Sequence, residues 1–238
     1  MAIPTPIRPR ERLQGLEVDL AQMAGLVEAQ LSEAVGAFER RDVDAAERVI
    51  RSDERVDATH QSIDAKVMSL LLGGPYDAST LREIMTYMRV AGELERVGDM
   101  SKNVAKRTLV VAREKPAKPY AGVGRMGRAS LRQISDILNA FAARNLVAAK
   151  AVWGGDDDLD ELYNSVYREI LESMMHDPTA VSAGTHLVFI AKNFERVGDH
   201  ATNIAEDLHF LLTGSALIVE RPKGDQTSTT ILRNPRGV

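Results

Sequence analysis

The pentapeptide ERVGD occurs twice in this chain, at Glu95–Asp99 and at Glu195–Asp199. Each copy places two carboxylates four residues apart, so on a helix the two side chains are neighbours that repel each other. One further turn along each copy lies an asparagine, Asn103 or Asn203, which extends the line of side-chain oxygens. Such oxygens are the preferred ligands of hard multivalent cations, and a cation would offset the repulsion. Each line is therefore a candidate metal-binding sequence.

A second carboxylate pair precedes each of these lines. Asp53 and Asp57 precede the first line, and Asp156 and Asp160 precede the second. If the helix that carries each pair lies beside the helix that carries the line, four carboxylates converge and require a shared counter-ion. The candidate ligands are Asp53, Asp57, Glu95, Asp99 and Asn103 in the first half of the chain, and Asp156, Asp160, Glu195, Asp199 and Asn203 in the second.

A metal-free interpretation of the acidic pairs stays open. A single D-x-x-x-D pair on a helix is usually a solvated face. Arg96 and Arg196 lie three residues before Asp99 and Asp199, within reach of local ion pairs that would relieve the charge. The occurrence of the pairs on two predicted helices in each half favours the metal interpretation.

The composition narrows the functional class. The chain has 238 residues, 44% of them hydrophobic and only 5% aromatic, which is typical of a helical globular protein. The absence of cysteine excludes disulfides, thiolate metal sites and a cysteine nucleophile. The mild net charge of −4 does not suggest binding to nucleic acid, which needs a concentrated basic face, so we expect no nucleic-acid partner. No apolar run approaches the roughly 20 residues that span a bilayer, and no signal peptide is recognisable, which favours a cytoplasmic protein.

The chain is an internal repeat with helical periodicity. Phe38 matches Phe141 at an offset of 103 residues, and the ERVGD copies are offset by 100. Apolar residues recur at steps of three and four between Leu13 and Phe38, which predicts a long amphipathic helix. Asp42 and Asn145 are predicted to be helix N-caps at equivalent positions.

The pattern predicts an all-α fold of two tandem antiparallel three-helix bundles. The first bundle spans 8–112, with its second helix ending near residue 72 and its third capped by Ser79 or Thr80. The predicted divisions beyond it are a linker over 113–123, a second bundle over 124–214 with helices over 124–144, 146–176 and 180–213, and a loose tail over 215–238.

The stretches LERVGDMSKNVAK and FERVGDHATNIAE, with the acidic pairs before them and the duplicated three-helix plan, resemble the PhoU family of phosphate-signalling regulators over about residues 8–214. The resemblance implies a non-enzymatic cytoplasmic protein, recruited in part to the inner face of the membrane through its partners. Those partners would be the ATPase subunit of the high-affinity phosphate ABC transporter and a membrane sensor histidine kinase. The resemblance also implies negative regulation of the phosphate-starvation response and moderation of phosphate uptake.

The same resemblance bears on cofactors. Members of the family bind metal through their E/D-x-x-x-D pairs, so it implies iron, zinc, manganese or magnesium at the ten candidate ligands named above. We also expect a homodimer. Two other classes stay open, namely a metalloenzyme or metal store and a metal-free helical scaffold. The first is disfavoured because a ferritin-like centre needs Glu-x-x-His on each of two helices, and the sequence lacks such a pair of motifs.

Overall fold

The computed structural model describes residues 9–114, 119–217, 227 and 230, with the backbone alone for residues 9–12 and 156. The all-α prediction is confirmed, because these residues form helices and no strand. In chain order the helices are α1 (Pro9–Arg40), α2 (Val43–Leu72), α3 (Ala78–Val111), α4 (Tyr120–Ala142), α5 (Leu146–Gly154), α6 (Asp156–His176) and α7 (Val181–Thr213), with a 3-10 turn at Pro178–Ala180. Most of the predicted tail, and residues 115–118 of the predicted linker, lie outside the described residues.

The first turn of each half has the same construction. Arg41 and Arg144 both adopt the left-handed conformation, with φ of 56° and 49°, and each reverses the chain after the first helix of its half. The following residues cap the next helix as predicted. The side chain of Asp42 accepts a hydrogen bond from the Ala45 amide at 2.9 Å, and that of Asn145 accepts two at 3.1 Å. These caps satisfy amides that the helix itself leaves unpaired.

The cap of α3 differs from the prediction. Asp77, not Ser79 or Thr80, is the N-cap, and its carboxylate accepts a hydrogen bond from the Thr80 amide at 2.7 Å. Ser79 donates its hydroxyl hydrogen to the same carboxylate at 2.8 Å. Several capping residue types fall within one turn here, so composition alone did not select among them.

The predicted helix over 146–176 is two helices, and the break lies at Gly155. Two successive glycines, Gly154 and Gly155, carry a high conformational cost in a helix, and the carbonyl of Gly155 accepts a hydrogen bond from Gln133 Nε2 at 3.3 Å. The equivalent positions of the first half are Arg51 and Ser52, which favour helix more than glycine does, and α2 is continuous there.

Helix α4 begins at Tyr120, before the predicted boundary at residue 124. The Tyr120 ring stacks on Phe38 with ring centroids 4.3 Å apart, and its hydroxyl donates to the Phe38 carbonyl at 2.8 Å. Arg41 donates to the carbonyls of Val111 and Ala112 at 3.0 Å each. The segment between the halves is therefore anchored at both ends to the α1–α2 turn.

Equivalent helices of the two halves pack against each other in antiparallel pairs. Arg89 near the start of α3 reaches Asp207 near the end of α7, and Arg107 near the end of α3 reaches His186 near the start of α7. Side chains of α1 meet α4 in the same reversed order. This arrangement is that of two units related by an approximate two-fold axis perpendicular to the helices.

A single buried core runs through both halves. The valines that the helical wheel places opposite the acidic line, Val90, Val97 and Val104, are all buried in it. Among the described helices, none combines the length and the uninterrupted apolar character that a bilayer-spanning segment requires. The acidic lines lie at the edge of the apolar stripe of α3 and α7, where the preceding helix of the same half packs.

Candidate metal centres

The first acidic site forms where α2 packs on α3. Asp53 of α2 is only 2% exposed and accepts a hydrogen bond from Gln30 Nε2 of α1 at 3.0 Å. Gly98 of α3 makes this close packing feasible. A Cβ atom at Gly98 would lie 3.1 Å from Gln30 Oε1 and 3.2 Å from Val56 Cγ1, tighter than ordinary van der Waals contact. The glycine of ERVGD therefore serves the approach of the neighbouring helices.

A lysine ammonium lies among the carboxylates of this site. Lys102 forms an ion pair and hydrogen bond with Asp53, and its Nζ lies 3.7 Å from Asp99 Oδ1. The hydrogen bond to Asp53 raises the pKa of Lys102 against the opposing effect of burial, and the charges of Asp53, Asp99 and Asp57 raise it further. Asp53 and Asp99 therefore share one ammonium group, which also experiences the charge of Asp57.

The two remaining predicted ligands of the first half, Glu95 and Asn103, are placed differently. Glu95 Oε2 is 3.6 Å from Arg96 Nε, so the local arginine pairs with its sequence neighbour instead of with Asp99. Asn103 is exposed. The structure thus places Asp53 and Asp99 against Lys102, and the charge of Asp57 acts on the same lysine, whereas Glu95 pairs with Arg96 and Asn103 is exposed.

The second acidic site is more deeply buried. Glu195 is 5% exposed, and Asp160 of α6 is buried beside it. Burial, together with the charges of Asp199 and Asp160, raises the pKa of Glu195 to about 7 against the opposing effect of Lys192. Lys192 Nζ lies 2.9 Å from Glu195 Oε1 and 5.0 Å from the centroid of the Tyr163 ring. Lys192 thus pairs with Glu195, whose carboxylate also experiences the charges of Asp199 and Asp160.

Two predicted ligands of the second half stand apart from this group. Asp156 begins α6, and its side chain lies outside the described residues. Asn203 faces α3, where its Nδ2 donates to Glu93 Oε2 at 3.0 Å, and His200 Nδ1 lies 2.5 Å from the same oxygen. Burial would raise the pKa of Glu93, but the hydrogen bonds from His200 and Asn203 outweigh it and lower the pKa. Asn203 thus contributes to the contact between the halves.

One oxygen of the second site has unused acceptor capacity. Glu195 Oε2 is buried and has no hydrogen-bond partner among the described residues, and an unpaired buried acceptor is unfavourable. Within the described part of the chain, no three acidic or histidine side chains are already arranged to hold an ion. The carboxylate oxygens of the site are nonetheless hard ligand atoms of the kind that bind magnesium, manganese, zinc and iron. The residues fit a metal by type, and a metal would compete with a lysine already present.

Sequence reasoning missed both lysines. The residue equivalent to Lys102 in the second half is Thr202, and the residue equivalent to Lys192 in the first half is Gly92. The lysine of each half thus lies at a different position of the repeat, so a comparison of the two copies did not reveal either lysine. The available signal was the three-residue spacing of each lysine from an acid of the line.

The buried glutamine Gln30 was also missed. It interrupts the apolar stripe of α1 and recurs in the second half as Gln133. A polar residue on a core-facing stripe must find partners, and Gln30 finds one in Asp53.

The similarity of this chain to known proteins follows the same division into halves. The family model for the PhoU domain matches residues 20–108 and again 123–208. The phosphate-specific transport system accessory protein PhoU homolog of Caulobacter vibrioides is 40% identical over 219 residues, covering 92% of this chain and 95% of that protein. The homolog of the same name from Rhizobium meliloti is 40% identical over 220 residues, covering 92% and 93%.

Solved structures agree with the fold. The crystal structure of PhoU from Pseudomonas aeruginosa superposes with a TM-score of 0.85 at 31% identity, covering 87% of this chain and all of that one. The phosphate transport system regulatory protein PhoU from Streptococcus pneumoniae gives a TM-score of 0.81 at 27% identity, covering 89% of this chain and all of that one. The similarity therefore extends over both halves and their mutual packing.

Proposed function

Because the chain belongs to the PhoU family, we propose that it is an adaptor that negatively regulates the phosphate-starvation response and moderates phosphate uptake. The relatives are named accessory proteins of the phosphate-specific transport system, and one solved relative is named a phosphate transport system regulatory protein. An accessory role supports a regulator in preference to an enzyme. It also supports a cytoplasmic location with recruitment to the inner face of the membrane.

The proposed partners are the ATPase subunit of the phosphate ABC transporter and a membrane sensor histidine kinase, with a homodimer as the acting form. An adaptor switches a response only if its partners bind one of its states better than another. We propose that the transporter supplies this difference and that the helical surface of the chain transmits it to the kinase.

We further propose that the two acidic sites bind metal. Buried Glu195 Oε2, which lacks a hydrogen-bond partner among the described residues, is the observation that supports this most directly. Asp160, Glu195 and Asp199 would hold the ion in the second half, and Asp53, Asp57 and Asp99 in the first. The ion would supply concentrated positive charge that joins α6 to α7 or α2 to α3. Without the ion, Lys192 and Lys102 each supply a single positive charge at these sites.

Co-purification tests the adaptor proposal. A tagged chain would be recovered from detergent-solubilised membranes of phosphate-replete and phosphate-starved cells, and the bound proteins identified by mass spectrometry. We expect the transporter ATPase and a sensor kinase, in amounts that depend on phosphate. If neither is recovered in either condition, while a known membrane complex survives the same procedure, the adaptor proposal is wrong.

Metal analysis tests the acidic sites separately. After chelator-free purification, the double variant Glu195→Gln/Asp199→Asn should lose about half of the bound metal, since one of two sites is removed. The matched control is Glu54→Gln/Glu161→Gln, which removes the same charge from exposed positions. Equal metal content in both double variants and the parent would favour the metal-free scaffold. Substantial iron oxidation or phosphatase turnover by the parent would instead favour a metalloenzyme.

A further inference from the structure

A cavity of about 550 Å³ lies between α4 and α5 in the second half, beside the helix break at Gly155. Its floor is formed by small side chains, mostly alanines of α4 and α5. Its polar groups come from Gln133, Asp136, Asn139 and Asn145. None of these belongs to the acidic sites described above.

In the first half, two exposed arginine side chains lie over the equivalent surface. Arg48 of α2 crosses to α1, where its Nε lies 2.8 Å from Glu33 Oε1. Arg40 lies over Gly36, since a Cβ atom built on that glycine would come within 2.9 Å of Arg40 Nη1. The first half therefore places two guanidinium groups of its own at this position.

The second half retains the acceptors of this groove but not the arginines. At the offset of 103 residues, Glu33 corresponds to Asp136, whereas Arg48 and Arg40 correspond to Ala151 and Ala143. The two alanines line the cavity. The cavity thus lies at the place where the first half carries two arginine side chains.

The acceptors left behind lack partners. No lysine or arginine in the described part of the chain forms an ion pair with Asp136, whose carboxylate borders the cavity. Gln133 Oε1 is buried and without a hydrogen-bond partner among the described residues, because the amide's Nε2 already donates to the Gly155 carbonyl. An unpaired buried acceptor is unfavourable, so Gln133 Oε1 favours a ligand that brings a donor, and the exposed carboxylate of Asp136 favours one that carries positive charge.

We propose that this cavity binds a guanidinium group, the group that Arg48 supplies at the equivalent place in the first half. A guanidinium presents up to five donors in a plane and pairs with a carboxylate through two of them. It can therefore engage Asp136 and still donate to Gln133 Oε1. An anion is disfavoured because the polar lining presents a carboxylate and an unpaired carbonyl oxygen. The proposal does not depend on the phosphate-related function.

Titration with small probes tests the proposal and identifies the source of the guanidinium. Agmatine represents a free guanidino compound, and N-acetyl-arginine N-methylamide represents an arginine within a polypeptide. The control for the second probe is the corresponding citrulline compound, which has nearly the same shape but no charge. Binding would be followed by NMR shifts of the side-chain amides of Gln133, Asn139 and Asn145, and by calorimetry.

We expect saturable binding of at least one guanidinium probe, with the citrulline compound at least tenfold weaker. Binding of agmatine alone would assign the cavity to a small guanidino ligand, and binding of the peptide-like probe would assign it to an arginine of a partner protein. Both outcomes support the proposal. No saturation by either probe up to about 10 mM, or equal affinity for the citrulline compound, would overturn it.

Three variants locate the binding. Asp136→Asn should weaken it at least tenfold because the carboxylate is lost. Ala151→Arg should abolish it by placing in the cavity the side chain that the first half carries there. Glu33→Gln is the matched control, because it removes the equivalent carboxylate in the filled groove and should leave affinity unchanged. If Ala151→Arg does not fold, Asp136→Asn still decides. Full affinity in Asp136→Asn would place the binding elsewhere and refute the proposal.

Discussion

The lysine of the first acidic site provides a direct test of how the chain tolerates its clustered carboxylates. In the variant Lys102→Met the side chain keeps its length and loses its charge. Asp53, which is 2% exposed, then loses its ion-pair partner and keeps the hydrogen bond from Gln30 at 3.0 Å. We expect the variant to be less stable than the parent in the presence of a chelator.

The magnitude follows from the burial of the pair. Removal of one partner of a fully buried ion pair costs about 3–5 kcal/mol. Lys102 is 27% exposed and Asp53 keeps its bond to Gln30, so water and the amide recover part of this loss. We therefore expect the free energy of unfolding to fall by about 2 kcal/mol. For a chain of this size that corresponds to a decrease in Tm of about 4–8 °C.

The assay is thermal and denaturant unfolding in EDTA, with Lys106→Met as the matched control. Lys106 is an exposed lysine of the same helix, and its variant should stay within about 0.5 kcal/mol of the parent. The double variant Asp53→Asn/Lys102→Met should recover at least about 1 kcal/mol relative to Lys102→Met, because the buried charge is removed with its partner. If Lys102→Met unfolds no more readily than Lys106→Met, Asp53 does not depend on the ammonium and the reasoning is refuted.

Three further predictions follow from other parts of the structure. Burial raises the pKa of Asp207 to about 6 against the opposing charge of Arg89, so its contribution to stability is full below about pH 4 and is lost as the pH rises through 6. Between pH 4 and pH 7, the free energy of unfolding of Asp207→Asn, measured by urea titration, should therefore fall by about 2 kcal/mol less than that of the parent. The same pH dependence in the variant and the parent would contradict this. Gly127→Ala should destabilise by about 1–2 kcal/mol, because its Cβ would lie 2.9 Å from the Phe194 ring, whereas Gly25→Ala, with open space, should stabilise by up to about 1 kcal/mol. If Gly127→Ala and Gly25→Ala change the thermal stability equally, packing around the glycine does not determine the effect of the substitution. Divalent metal at a hundredfold excess over its Kd should stabilise the chain by about 2.7 kcal/mol per site, and Glu195→Gln should reduce the gain, as measured by the metal-dependent rise in Tm.

Local patterns were sufficient to predict the helices and several of their ends. The apolar stripe of α1 and the caps Asp42 and Asn145 depend on residues within a few turns of each other, and all appear in the structure. The prediction of a single helix over 146–176 was wrong because the apolar pattern continues through Gly154 and Gly155, where backbone cost decides. Local patterns also do not specify which helices of the two halves pair.

The acidic sites were predictable only in part, for a related reason. The spacing of the carboxylates within one helix is a property of the sequence, so Asp53, Asp99 and Glu195 were identified. Their counter-charge comes from Lys102 across the α2–α3 packing in the first half. Whether a long side chain crosses to another helix depends on tertiary packing that one sequence does not reveal.

In both halves a lysine offsets the repulsion between the clustered carboxylates, but the two lysines lie at different positions of the repeat. The requirement is therefore positive charge beside the carboxylates, and it is not tied to one residue position. A metal bound in the way we propose must displace an ammonium from at least one carboxylate, which weakens its net affinity. The cost should be smaller in the second half, because Glu195 Oε2 is unpartnered among the described residues and can accept the ion without breaking a bond. We therefore expect the second site to fill first in a metal titration, with Lys192→Met strengthening that site and Lys102→Met strengthening the other. Simultaneous filling of both sites with unchanged affinities in the lysine variants would show that the ammonium groups and the metal do not compete.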